Sequence, residues 1–441
     1  MSLSRTTARF MTGLAGVGVL TLALTACGSA DNGSSNNNSS GDSFGEFKYL
    51  AAVENSIVRD EITTLGEGAC QAENDAMPFE VETLPQADVS QRVTLLASQD
   101  SLPNMFTAPT APLRPGGVLG DDDTVINLED KLTELGVIDN ILPGAISAVK
   151  NVYGDRFVSM PYQYNLEGIF YNKQIFDDNG ISVPETWDDL MAAAEKLEKA
   201  SVTPFALPGD QDWMITRWIS GYMFRDLGPD AIDKVLDGDA KFTDPEYLKT
   251  FEAIQDFGGF FGPGVSTMDM ATAVNEFFTG KAAMMYNGTW FLAEIYDDAA
   301  NPSGADAFGF MPLPEVAGGE GSIDQYPANA GAATSFSAKL DNAGMDAWLT
   351  CITENFGSSA LANQGVISGF TLNQPVDDVP ALTSEIQDIM AETTETITWL
   401  EAFLPEKAAG EAATNAGPLL TGNMSPDDYA KRLQAGLEAS K

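Results

Sequence analysis

EFKYLAAVEN (46–55), FEVETL (79–84) and DVSQRVTLLASQDSLPNMFTAP (88–109) are the stretches whose reading decides the fold. The first two are short and rich in apolar, aromatic and β-branched residues, which suits strands. Residues 56–70 between them read as a helix. In the third stretch Val89, Val93 and Leu96 recur at helical spacing, and beyond Leu102-Pro103-Asn104 the chain returns to a strand at Met105–Thr107. Strand, helix, strand, helix, strand in this order implies a parallel sheet covered by helices, an α/β fold.

The alternation continues outward. TVINLEDKLTELGVI (124–138) reads as a helix, and GDRFVSMPYQYNLEGIFYNKQIF (154–176) as two strands around Pro161. SVPETWDDLMAAAEKLEKA (182–200) is a helix with Thr186 as its N-cap, Asp188 and Asp189 in its first turn, and Leu190, Ala194 and Leu197 on one apolar face. FALPG (205–209) is a short strand before the helix DQDWMITRWISGYMF (210–224). KAAMMYNGTWFLAEIY (281–296) is a strand that breaks into a helix at Asn287-Gly288-Thr289. AFGFMPLPEV (307–316) and PANAGAATSFSA (327–338) read as strands, and 340–359 as a helix. Ser425 and Pro426 fit the N-cap and first position of a C-terminal helix.

The N-terminus reads differently. Arg5 and Arg9 precede an apolar run, Gly13–Leu24, that is too short to span a bilayer. A basic start, a short apolar middle and small residues after it describe a signal peptide, residues 1–26. Leu24-Thr25-Ala26-Cys27 resembles the lipobox of bacterial lipoproteins, which implies a lipid-modified Cys27 as the first mature residue. Residues 28–43 are nearly all Gly, Ser, Asn and Asp, too polar to fold, and read with Cys27 as a flexible tether. An anchored, exported protein is expected on the outer face of the cytoplasmic membrane of a Gram-positive type of envelope.

Composition excludes several functions. The chain of 441 residues carries 64 acidic and 23 basic residues, a net charge of −41, which argues against nucleic-acid binding. There is no histidine, so Ser-His-Asp and Cys-His catalysis and His-based metal sites are ruled out. Neither a dinucleotide fingerprint, nor a phosphate-binding loop, nor a GxSxG motif occurs, and no cofactor or metal is expected. Asp121-Asp122-Asp123 lacks the spaced oxygens and Gly turn of a calcium loop and reads as solvated. Cys70 and Cys351 either form a disulfide, which an exported protein permits, or remain two buried thiols.

Several segments together resemble a known family. GIFYNKQIFDDNGISVPETWDDLMAAAEKL (168–197), GKAAMMYNGTWFL (280–292), FGFMPLP (308–314) and GNMSPDDYAKRLQAG (422–436) are similar, in order, to segments of extracellular solute-binding proteins. The likeness is to those of ABC importers of the carbohydrate-binding type, which include the maltose-binding protein. It implies a two-lobed periplasmic-binding-protein-like fold with a hinge and an interlobe ligand cleft, a carbohydrate ligand, a membrane permease as partner, and a monomer. The first lobe would hold 44–162 and 329–385, the second 163–328 and 386–441. Crossings are expected near Pro161–Tyr164, near Pro327–Gly331 and in a helical stretch before Trp399.

A sugar site needs aromatic platforms and groups that hydrogen-bond hydroxyls. Trp290 matches the family's G.W tryptophan, and Trp399 matches an aromatic of the C-terminal helix. Trp213 and Asp212 stand at a helix start after a short strand, with core packing and N-capping as their alternatives. Asn165 and Tyr164 lie on the first crossing, Glu54 ends the first strand, and Asp100 sits where the family reads G-(D/E)-x-P-D, although this chain departs from that pattern. Phe370 could reach the cleft, whereas Trp187 and Trp348 read as core. A two-carboxylate glycosidase and a binder of polyamines or other non-sugar solutes are the competing readings.

Overall fold

The computed structural model describes residues 44–440 apart from 54–55, 122, 394–395 and 398. The signal segment, Cys27, the tether and Glu54 therefore lie outside the described residues. Ten strands are described: β1 Phe47–Ala52, β2 Phe79–Leu84, β3 Met105–Thr107, β4 Asn165–Asn172, β5 Thr203–Ala206, β6 Ala282–Gly288, β7 Phe308–Met311, β8 Tyr326–Asn329, β9 Thr334–Phe336 and β10 Thr396–Ile397.

One sheet runs in the order β2-β1-β3-β9. β1 pairs in parallel with β2 (Phe47 opposite Phe79) and with β3 (Tyr49 opposite Met105), as the β-α-β-α-β reading requires, and β9 returns antiparallel to β3. All of β1 but Lys48 is buried, as expected for a parallel strand covered on both faces. The helices Ser56–Glu67 and Ala343–Gln364 pack against each other over this sheet. A disulfide joins Cys70, just past the first of these helices, to Cys351 inside the second, with Cα atoms 5.8 Å apart. Trp348 is fully buried beside Phe47 and Phe79, and its Nε1 donates to Met77 O at 2.9 Å.

The second sheet runs β10-β8-β4-β6-β5, with β7 also on β4. β7 and β8 share one edge of β4: β7 pairs with Ile169–Asn172 and β8 with Asn165 and Leu166. Gly168 sits at the handover, where a Cβ would come within 2.6 Å of Met311 O. The helix Trp187–Lys199 is capped by Thr186, whose hydroxyl accepts from Asp189 N at 3.2 Å. Trp187, Phe205, Trp218 and Phe257 form an aromatic core on this sheet. The helix Asp212–Leu227 packs against Glu406–Leu420, which in turn carries Pro426–Glu438. Ser425 caps the last of these by accepting from Asp428 N at 3.1 Å. Among the described residues no helix is long and apolar enough to cross a membrane.

Three local expectations are corrected. The stretch 154–176 holds one strand, not two: the chain bends at Ser159, Tyr162 and Gln163 and spends its backbone bonds on different neighbours, including Met160 N to Thr334 O and Gly369 N to Pro161 O. Pro161 has no N–H to offer a ladder. The stretch 327–338 is two strands in two sheets, split at Gly331, whose φ of +71° turns the chain. The helix Ala381–Glu392 does not run on to Trp399: Thr396 and Ile397 form β10, which pairs with β8.

Candidate ligand cleft

Strand ends set the site. β6 ends at Gly288, and the turn Thr289–Phe291 lifts Trp290 out of the sheet, leaving it 37% exposed. Gly288 permits this, since a Cβ there would lie 2.0 Å from the Trp290 ring. β5 ends at Ala206, and the helix Asp212–Leu227 then carries Trp213 in its first turn. The two indoles lie side by side, with centroids 6.3 Å apart and planes at 56°. One turn on, at the i+4 position, Arg217 places its guanidinium carbon 5.4 Å from the Trp213 centroid and 3.6 Å from that of Trp399. Two indoles from distant segments thus flank one arginine, and a third, Trp290, lies against the first of them.

That arginine is anchored from below. Glu167 on β4 is fully buried, and its Oε2 accepts from Arg217 Nε at 2.9 Å and from Tyr286 OH at 2.9 Å. Beside it, at the start of β4, Asn165 faces Asn329 of β8. Asn165 Nδ2 donates to Asn329 Oδ1 at 3.1 Å, and Thr289 Oγ1 donates to Asn165 Oδ1 at 3.3 Å. A cavity of about 410 Å³ opens next to this cluster, lined among others by Thr110, Arg114, Tyr153, Ser159, Asn329 and Trp399. Its walls come from both sheets: Thr110 and Arg114 follow β3, and Asn329 ends β8. Arg114 Nε donates to Val152 O at 3.1 Å, and its other arm donates to Ala402 O, so it also binds segments on either side of the cavity. Flat aromatic faces beside hydroxyl, amide and guanidinium groups suit a ligand with apolar ring faces and many hydroxyls.

A sequence profile of the bacterial extracellular solute-binding proteins matches residues 79–344, well over half of the chain. The chain belongs to the bacterial extracellular solute-binding proteins. An uncharacterised ABC-transporter extracellular-binding protein of Pyrococcus horikoshii is 32% identical over 168 residues, 37% of this chain and 37% of the relative. The multiple sugar-binding protein of Streptococcus mutans is 30% identical over 170 residues, 34% of this chain and 39% of the relative. The chain spans about two fifths of the length of these relatives. Among solved structures, a chitin oligosaccharide binding protein superposes with a TM-score of 0.71 at 21% identity, covering 90% of this chain and 99% of its own. This solute-binding protein has the two-lobed α/β fold of that structure, with a hinge and an interlobe cleft.

Within this solute-binding protein the residues singled out from sequence divide. Trp213, Trp290, Trp399 and Asn165 come together as described. Asp212 is exposed on the first helical turn beside Trp213, and partial loss of water raises its carboxyl above the usual range. It makes no side-chain cap, since Gln211 occupies the N-cap position.

Three residues lie elsewhere. Tyr164 is fully buried, because successive residues of an extended chain point to opposite sides and Asn165 takes the cleft side. Burial pushes its hydroxyl well above the usual tyrosine range. Phe370 is 2% exposed and packs on Tyr162 and Phe356, lining a separate, largely apolar cavity of about 500 Å³. Asp100 is exposed, paired with Lys339, in the loop entering β3. In a parallel sheet that loop is at the opposite strand end from Thr110 and Arg114, which explains the misplacement.

Sequence reading missed Arg217, Glu167, Arg114 and Asn329. Two of them left a signal. Glu167 is a lone charge inside the apolar strand NLEGIFYN, and Arg217 is a lone cation inside MITRWISGYMF. Buried charges of this kind are paired.

Proposed function

We propose that this protein is the substrate-binding component of an ABC importer that captures a carbohydrate, in particular an oligosaccharide, in the cleft and delivers it to a membrane permease. The carrying observation is the run of contacts from Trp290 through Trp213 and Arg217 to Trp399, which lines the cavity with Arg114 and Asn329. Indoles at successive positions along a cleft suit successive sugar rings, and the amide and guanidinium groups suit their hydroxyls. The sugar leaves chemically unchanged, and its binding energy favours the closed form that the permease recognises. Residues 44–162 with 329–385 and 163–328 with 386–441 form the two lobes in this reading. The diacylated Cys27 and the tether 28–43 keep a monomer near its permease at high effective concentration.

The polyamine reading is disfavoured by one contact. A cation would seek the face of Trp399, and that face already holds Arg217. The test is titration calorimetry with a panel of linear oligosaccharides and polyamines, followed by product analysis. Binding of a sugar without turnover, weakened strongly by Trp290→Ala, is the expected result. Binding of polyamines but not sugars, or turnover of a glycan, would overturn the proposal.

A further inference from the structure

We infer that Arg217 is the positioning residue of the cleft: it fixes the ring of Trp399 and so ties the chain just past β10 to the helix Asp212–Leu227. Three connections support this. Rigid β4 holds Glu167, which holds Arg217 Nε at 2.9 Å, while Tyr286 OH fixes the same carboxylate oxygen. Arg217 is 8% exposed and Glu167 fully buried, so neither charge has water to fall back on, and breaking the pair would strand a buried carboxylate. The planar guanidinium then lies against one face of Trp399, 3.6 Å from carbon to centroid. Trp399 also lines the cavity with Arg114 and Asn329, so its covered and cavity-lining parts are assigned separately.

The chain direction makes this more than a packing contact. Trp399 is two positions past the end of β10, and Leu400 N donates to Ser220 Oγ at 2.8 Å. Ser220 is three residues beyond Arg217 and shares its helix face. Two consecutive residues, Trp399 and Leu400, are therefore held on one face of the helix Asp212–Leu227. From the other side Asn151 Nδ2 donates to Thr396 O at 2.6 Å, and Arg114 donates to Ala402 O. Thr396, Trp399, Leu400 and Ala402 are thus each held by a group from another element, and Arg217 is the one that also orients an aromatic ring of the cleft. Lysine would keep the charge for Glu167 but has no planar face to lie on the indole.

The role in ligand binding rests on the proposed sugar cleft, whereas the positioning of Trp399 does not, and the experiment separates the two. Arg217→Met alone leaves Glu167 charged and buried, so the informative variants are Arg217→Met/Glu167→Gln and Arg217→Lys. The first readout needs no ligand: the near-UV circular dichroism of Trp399, taken as the difference between a protein and its Trp399→Phe counterpart. It is expected to fall by more than half in the double variant and by less in Arg217→Lys. The second readout is the Kd for maltotriose, xylotriose or chitotriose, whichever the parent binds, expected to rise at least tenfold in the double variant with partial retention in Arg217→Lys. An unchanged Trp399 signal in a folded double variant overturns the inference, and so does an unchanged Kd. If the parent binds none of the three sugars, the ligand proposal loses its support while the spectrum still decides the positioning role.

Discussion

Removing the Cys70–Cys351 bond perturbs more of this protein than its place on one sheet suggests. The two cysteines are 281 residues apart, and the enclosed loop contains β2 to β9, hence nearly all of both sheets. Chain-entropy arithmetic for so long a loop gives a denatured-state constraint of about 5 to 6 kcal/mol at 25 °C. Native disulfides deliver somewhat less, so a loss of about 3 to 5 kcal/mol is expected on reduction. Unfolding entropy near 2.1 cal/mol/K per residue turns this into a fall in Tm of only about 5 °C for a chain of this size. Urea unfolding followed by circular dichroism, with and without a phosphine reductant, is the assay, with Cys70→Ala/Cys351→Ala as the control. Reduction of the parent isolates the cross-link from any change in side-chain volume. The denaturant dependence should also steepen, because the reduced denatured chain exposes more surface. An oxidised parent whose midpoint ignores the reductant would refute the reasoning, as would an equal shift in the cysteine-free control.

Other outcomes follow from single contacts. Gly144→Ala puts a Cβ 2.4 Å from Tyr164 Oη and 2.5 Å from Thr393 O, so it wedges the first helical turn of Pro143–Tyr153 against the Tyr164 side chain and the backbone at Thr393. A loss of about 1 to 3 kcal/mol in thermal unfolding is expected. Arg114→Ala removes charged hydrogen bonds to Val152 O and Ala402 O. Hydrogen exchange should rise around 400–403, and sugar affinity should fall by about 1.5 to 3 kcal/mol if Arg114 also meets ligand. Burial raises the carboxyls of Asp212, Asp226, Asp233 and Glu294 in the folded state. Each therefore favours folding when protonated, a contribution present below the unfolded carboxylate pKa and lost as pH rises through the raised value. Thermal midpoints should accordingly rise as pH is lowered into the carboxylate range, about pH 5 to 4, helped by the relief of repulsion in a chain of net charge −41.

Much of the architecture is legible because it depends on local patterns. Val89, Val93 and Leu96 mark a helix between two apolar runs, and Thr186 with Asp189 marks a helix start, whatever the rest of the chain does. The strand that ends at Gly288 and releases Trp290 is legible for the same reason. What was misread depends on distant partners. PANAGAATSFSA looks like one strand, yet β8 pairs with β4 and β9 with β3, so its two halves belong to different sheets. Tyr164 and Asn165 are neighbours in sequence, but alternation sends one to the core and the other to the cleft. Asp100 sits close in sequence to β3 but at its entrance, whereas the cavity is at the exit, where Thr110 and Arg114 were overlooked. Glu167 and Arg217 could have been flagged as unexplained charges in apolar elements, although only the fold shows that each answers the other.

The most direct test of the proposed cleft is calorimetric titration of the tether-truncated protein and of Trp290→Ala with the same oligosaccharide. Trp290 is an exposed large aromatic at a strand end, with Trp213 alongside, and it stands outside the hydrophobic core. The account predicts a saturable, exothermic binding event in the parent, no change in the sugar, and a Kd at least tenfold weaker in a variant whose unfolding midpoint is unaltered. A variant that binds as tightly as the parent would contradict the role given to this aromatic cluster.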